Sequence, residues 1–148
     1  MATRIIRYQG AIVRNDHIFL IRYRPASGDS IWMFPGGGIE EGETEKECVE
    51  REMWEETSLR VAADRLLLDQ PIEPTATMYQ RRRTFPCTVL SGTAAPGHEP
   101  EEDIPAGYGI VEVVWFNLQD AGDWPSLVKQ DNITSTLLRS VRQALGYI

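Results

Sequence analysis

Basic charge is scarce in this chain, cysteine is almost absent, and long apolar runs are missing. Of 148 residues, 15 are Lys or Arg and 22 are Asp or Glu, a formal net charge of −7. That balance argues against duplex nucleic acid as a partner, because binding it takes a clustered basic surface that neutralises phosphates. No apolar stretch approaches the ~20 residues a membrane-spanning helix needs, so no membrane partner is expected. The opening residues, Met1-Ala2-Thr3-Arg4-Ile5-Ile6-Arg7, lack the apolar core of a secretion signal. Two cysteines, Cys48 and Cys87, are too few for a disulfide-stapled framework and are expected to be reduced thiols in a cytoplasmic protein. The two histidines, His17 and His98, fall in turn or loop contexts and do not make a metal pair. Internal repeats and low-complexity segments are also missing.

What is present suits one ordinary domain over residues 1–148. Hydrophobic residues make up 42% and charged residues 25%, close to the soluble globular average, which removes disordered and fibrous classes. Residues 4–14 alternate loosely and read as a strand; Asn15-Asp16 is a turn signal, and residues 17–23 read as the hairpin partner. Residues 25–30 read as a loop. Ile31-Trp32-Met33-Phe34 is a short apolar strand stopped at Pro35-Gly36-Gly37-Gly38. Residues 44–54 carry a helix signature, with Thr44 and Glu47 spaced as a capping box. Residues 66–68 and 78–90 read as strands, Pro86 marking an edge or a bulge. Residues 92–108 read as a polar surface loop, 110–116 as a strand, and 132–145 as an amphipathic helix stopped by Gly146. The sequon at Asn132-Ile133-Thr134 is expected to be idle without export. A β-rich order with one internal and one terminal helix predicts an α+β fold, an α/β/α sandwich around a central mixed sheet.

The feature that demands explanation is acidic. Between Glu40 and Glu56 stand nine glutamates against two basic residues, Lys46 and Arg51. On a helix, Glu56 lies about 40° from Glu52 and Glu55 about 60° to the other side, so the three carboxylates share roughly a third of the circumference. Like charges that close raise one another's pKa and destabilise the helix. A solvated acidic face is the ordinary fate of such a run. A divalent cation is the alternative: hard oxygen ligands suit Mg²⁺, Mn²⁺ or Ca²⁺, and Mg²⁺ shares itself with substrate phosphates rather than sitting in an all-protein cage. The glycines before the helix permit a tight backbone turn whose carbonyls can face the same ions.

Spacing favours the second reading. From Gly37 the chain runs G-x5-E-x7-R-E-Met-x-E-E-x-Ser-Leu, through Glu43, Arg51, Glu52, Glu55 and Glu56 to Leu59. This resembles the signature of the Nudix hydrolases, and Trp32-Met33-Phe34-Pro35-Gly36 resembles the family's approach strand. The one departure is Ser58, where the family has glycine; a helix ending there with positive φ would strain serine by roughly 1 kcal/mol.

The resemblance implies a Nudix-type sandwich that cleaves the diphosphate of a nucleotide-like NDP-X substrate by water attack at phosphorus. It implies Mg²⁺, with Mn²⁺ as a substitute, held by Glu52, Glu55, Glu56 and the Gly36 carbonyl, and Arg51 orienting a carboxylate, with Glu43 as its partner. The general base stays open among Glu52, Glu112 and the loop acids Glu99, Glu101, Glu102 and Asp103. Substrate contacts are expected outside the motif: Arg22 and Arg24 on one strand face, Arg81 and Arg83 opposite Arg82, and an aromatic among Phe34, Tyr79, Phe85 and Tyr108 for base stacking. Pro74 loosely resembles the downstream proline of ADP-ribose-cleaving members. The partner is a small nucleoside diphosphate derivative, with homodimerisation left open. A non-catalytic nucleotide sensor on the same fold, and a structural calcium module, are the competing readings.

Overall fold

The computed structural model describes residues 5–25, 29–72, 79–96, 109–120, 122, 124 and 132–147. Strands β1 (Ile6–Arg14) and β2 (His17–Arg24) form the expected hairpin through Asn15 and Asp16, whose φ values of 53° and 61° are those a tight two-residue hairpin turn requires. β1 and β2 pair only at Val13–Ile18 and Arg14–His17, and then part. Beyond the fork, β3 (Ile31–Met33) takes the vacated edge of β2 at Ile21 to Tyr23, and β4 (Gly36–Gly37) takes that of β1 at Tyr8 and Gln9. The segment Phe34-Pro35 therefore crosses the fork, and it delivers the glycines to its far side.

On the other edge of β1, strand β7 (Arg81–Ser91) runs parallel, in register from Ile6–Arg81 to Ile12–Cys87. β5 (Arg60–Ala63) and β6 (Leu68–Pro71) share the outer edge of β7, both antiparallel, while β8 (Gly109–Asn117) lies antiparallel on β2. The result is a mixed eight-stranded sheet, with helix α1 (Glu45–Thr57) on one face and helix α2 (Asn132–Ala144) on the other.

Strand alternation splits the core accordingly. Tyr8, Ile12, Phe19, Ile21, Phe85 and Cys87 pack with Cys48, Val49 and Met53 of α1. Ala11, Ile18, Leu20, Phe34 and Phe116 pack with Leu137, Leu138 and Val141 of α2. Thr134, the sequon threonine, is buried in α2 and donates to the Trp32 carbonyl at 2.7 Å. Both cysteines are free and buried, and among the described residues no helix is long and apolar enough to cross a membrane.

Several expectations are corrected. Gly36 and Gly37 pair with β1 as a strand rather than making the expected tight turn, since close backbone approach is what the site asks of them. β5 has no expected counterpart, because only Val61 in it is fully buried and no alternation is legible. The strand expected at residues 66–68 begins at Leu68 and runs to Pro71. Pro86 lies in an interior strand and is no edge marker. Its carbonyl accepts from Asp64 N–H at 2.8 Å on the side where β5 has ended at Ala63 and β6 has not yet begun at Leu68, so the missing N–H falls in a gap of the ladder.

Candidate active site

The local sequence builds α1 from both ends. Thr44 Oγ1 accepts the Glu47 N–H at 3.1 Å, and Glu47 Oε1 accepts the Thr44 N–H at 2.9 Å, closing the capping box. At the other end Ser58 takes the left-handed conformation expected of the family's glycine, φ 62° and ψ 19°, and its N–H reaches the Trp54 carbonyl at 3.1 Å. Between the caps, Cys48, Val49 and Met53 face the core. Gly10 makes room for them: a Cβ there would stand 2.5 Å from Met53 Sδ.

The acidic edge of the helix meets β4. Glu56, 7% exposed, accepts the Gly36 N–H at Oε1 over 2.6 Å. The Glu52 carboxylate lies against Gly37, where an added Cβ would collide with Oε1 and stand 2.6 Å from Cδ. A Cβ on Gly36 would strike the Tyr8 carbonyl oxygen. Only glycines let the strand sit this close to both the helix carboxylates and β1.

Arg51 organises the rest. Its Nε and Nη2 grip Glu43 in a fork at 2.6 and 3.1 Å, Nη2 also donates to the Gly38 carbonyl at 3.0 Å, and Nη1 donates to Glu52 at 3.0 Å and to Glu55 at 3.1 Å. Glu43 Oε1 in turn accepts the Glu40 N–H at 2.9 Å, tying the loop to the cluster. Burial pushes the Glu52 carboxyl above its usual range, against the opposing pull of Arg51. The hydrogen bond to Glu43 is the largest influence raising the Arg51 guanidinium still further.

Among the described residues no three His, Cys, Asp or Glu side chains converge as a ready-made ion cage. Instead, one guanidinium bridges Glu52 and Glu55. The donor set nevertheless fits a hard divalent cation. Glu43, Glu52, Glu55 and Glu56 set four carboxylates against a single arginine, all partly withdrawn from water beside a glycine strand.

The remaining expected residues are scattered. Arg22 on β2 and Glu112 on β8 pair with each other at 3.0 Å, away from α1. Arg24 ends β2 opposite Gly109. Arg81 and Arg83 both bind Asp69 at 2.8 Å, and Arg83 also meets Glu45 of α1 at 3.1 Å, so their charge is balanced on the α1 face. Phe34 and Phe85 are 1% and 3% exposed, their rings packed in the core. His17 contacts the Asn15 carbonyl within its own turn. Pro74, His98, Glu99, Glu101, Glu102, Asp103 and Tyr108 lie outside the described residues.

Other polar residues near the site are not legible as such in the sequence. Arg7 donates to the Phe34 carbonyl at 2.8 Å, and its charge reaches Glu52. Glu50, indistinguishable in sequence from its acidic neighbours, accepts the Ala63 N–H at 2.9 Å and fastens α1 to β5. Arg82 and Gln70 stand opposite each other on β7 and β6. The alternation of β1 and β7 was the available signal for Arg7 and Arg82, but one arginine in a strand reads like any other until its neighbours are known.

Comparison with known proteins agrees with this geometry. The profile of the NUDIX domain matches residues 6–137. A MutT-like protein of Streptomyces ambofaciens is 44% identical over 57 residues, 38% of this chain; the match spans only 36% of that relative's length. Among solved structures, an ADP-ribose pyrophosphatase from Streptococcus suis superposes with a TM-score of 0.67 at 24% identity, covering 97% of this chain and 93% of its own. A MutT NUDIX hydrolase from Burkholderia pseudomallei gives 0.67 at 24% identity, covering 95% and 99%. A NUDIX hydrolase from Nitrosomonas europaea gives 0.70 at 18% identity, covering 98% and 93%. At such identities the likeness to solved structures bears on the fold.

Proposed function

Since this chain belongs to the NUDIX domain family of hydrolases, we propose that it hydrolyses the diphosphate bond of a nucleotide-like NDP-X substrate by water attack at phosphorus, with Mg²⁺, or Mn²⁺ in its place. The observation that carries this reading is Arg51, clamped to Glu43 and bridging Glu52 and Glu55, while Glu56 is fixed on Gly36.

Divalent cations of the kind Nudix hydrolases use supply charge neutralisation at the phosphates and acidify a bound water. The chain's own residues do the rest. Glu52, Glu55, Glu56 and the Gly36 carbonyl offer hard oxygen donors. Arg51 holds Glu52 and Glu55 aimed, and Glu43, gripped by its fork, keeps Arg51 in place. Burial raises the Glu52 carboxyl above its usual range, which suits it to receive a proton from the attacking water. Glu112 is the second base we consider; its Arg22 partner holds it on β8.

The test is phosphate release across a panel of nucleoside diphosphate derivatives, with Mg²⁺ and with EDTA. Turnover that EDTA abolishes supports the proposal. Tight nucleotide binding without turnover on any diphosphate would replace it with the sensor reading. Glu112→Gln, assayed beside Glu52→Gln, separates the two bases by which variant loses kcat.

A further inference from the structure

The sheet face opposite α1 carries a polar stripe that the motif does not explain. Gln70 of β6, Arg82 of β7 and Arg7 of β1 stand in register across three neighbouring strands. Alternation places them together. Tyr8, Phe85 and Cys87 point to α1, as do Arg83 and Asp69, which meet each other there; the residues between them point the other way. The next rung confirms the side, since Gln9 donates to Thr84 at 2.8 Å in the buried floor below, and Leu68 packs with the α2 core.

Two guanidiniums in register on adjacent strands repel, because strands lie only ~4.8 Å apart. Arg81 and Arg83 avoid this through Asp69 and Glu45. Neither Arg7 nor Arg82 has a carboxylate in contact among the described residues; Arg7 instead donates to the Phe34 carbonyl. Both are half-buried. Burial and the neighbouring Arg7 both act against the Arg82 cation. Beside it, Gln70 Oε1 is buried with no hydrogen-bond partner among the described residues. A repulsive pair and an orphaned acceptor in one rung are what a site looks like when its counter-charge arrives with the ligand.

We propose that Arg7 and Arg82, with the Gln70 amide, form a subsite for a phosphoryl anion of the substrate, Gln70 accepting from a donor on the group esterified to that phosphate. The planar forks suit phosphate oxygens. The subsite is tied to the motif through Arg7, which donates to the Phe34 carbonyl two residues before Gly36 of the glycine strand. The assignment rests on the diphosphate reading above and adds to it the residues that hold the phosphate.

The experiment measures binding of ADP and of inorganic pyrophosphate by calorimetry in EDTA, with thermal melting of each variant. Wild type should bind ADP with an affinity that falls as salt rises. Arg82→Gln should weaken ADP at least tenfold with no fall in Tm, since it relieves a like-charge pair, whereas the exposed-charge control Arg65→Gln should match wild type in both. If Arg82→Gln is not folded at the assay temperature, a folded Arg82→Lys decides: an ammonium cannot supply the fork, so ADP binding weakened more than threefold supports the subsite, and ADP binding within threefold of wild type overturns it. ADP binding unchanged in folded Arg82→Gln, or no binding of either probe to wild type, overturns the subsite. The two readings fail separately. Binding through Arg82 with no hydrolysis of any diphosphate sinks the hydrolase and keeps the subsite; hydrolysis with an unchanged KM in Arg82→Gln does the reverse.

Discussion

Removing the Arg51 guanidinium should do more damage to stability than a surface charge change, and a divalent cation should repair part of it. Arg51 contacts Glu43, Glu52 and Glu55, whose side chains are 15%, 14% and 25% exposed, and is itself 21% exposed. Exposed pairs are worth about 0–1 kcal/mol, whereas breaking a buried one costs about 3–5 kcal/mol. With these three partners between those limits, and the exposed Glu40 at 3.6 Å adding little, Arg51→Gln should lose about 3 kcal/mol. At ~2–4 °C per kcal/mol for a chain of this size, Tm in EDTA should fall by roughly 6–12 °C. The abandoned carboxylates then repel, so a cation should bind the variant's folded state with more effect than it binds wild type; at a hundred times its Kd it returns ~2.7 kcal/mol. Scanning calorimetry of both proteins in EDTA and in Mg²⁺ reads this directly. The pH dependence has a definite sign. Glu52 is already raised by burial and rises further without Arg51, so the folded state holds its proton more tightly than the unfolded chain. That stabilisation is present below the unfolded value of 4.5 and is lost as pH climbs, so the variant's deficit should be smaller near pH 4.5 than at pH 8. A Tm drop under about 2 °C, or a Mg²⁺ effect no larger in the variant than in wild type, would refute the electrostatic account of the cluster.

Further outcomes are expected at three other positions. Glu56→Gln keeps an oxygen to accept the Gly36 N–H but loses a charged ligand, so Tm should move little while kcat drops by orders of magnitude; retained turnover would remove α1 from the chemistry. Ser58→Gly relieves a left-handed serine and should raise stability by roughly 0.5–1 kcal/mol in a denaturant titration; a lower midpoint would show that the Ser58 side chain makes a compensating contact. The Cys87 thiol is pushed up to about 12 by burial and by the charge of Glu50, so at pH 8 it should resist a thiol reagent in the folded protein and react fully once unfolded. Rapid labelling of the native protein at Cys87 would contradict that burial.

Local chemistry carried much of the answer without any fold. The capping box at Thr44, the hairpin turn at Asn15-Asp16 and the left-handed cap at Ser58 are decided within a few residues of themselves, so they were legible before any strand was paired. The facing of Glu52, Glu55 and Glu56 follows from helical pitch alone, and the grip of Arg51 on Glu43 was expected from the motif.

What pairing decides could not be read in advance. Gly36 and Gly37 matter because β1 and α1 press on them from two sides, which is a property of the fork between β1 and β2 and not of a glycine run. Pro86 sits harmlessly inside the sheet because β5 and β6 leave a gap beside it. The same holds for the arginines. Seven stand on β1, β2 and β7, and nothing in their order separates Arg81 and Arg83, which face Asp69, from Arg82, which faces Arg7. Periodicity determines which side of a strand a charge occupies; only the register of neighbouring strands determines whether that charge is already balanced, because the Coulomb energy depends on residues far apart in the chain and about 5 Å apart across the sheet.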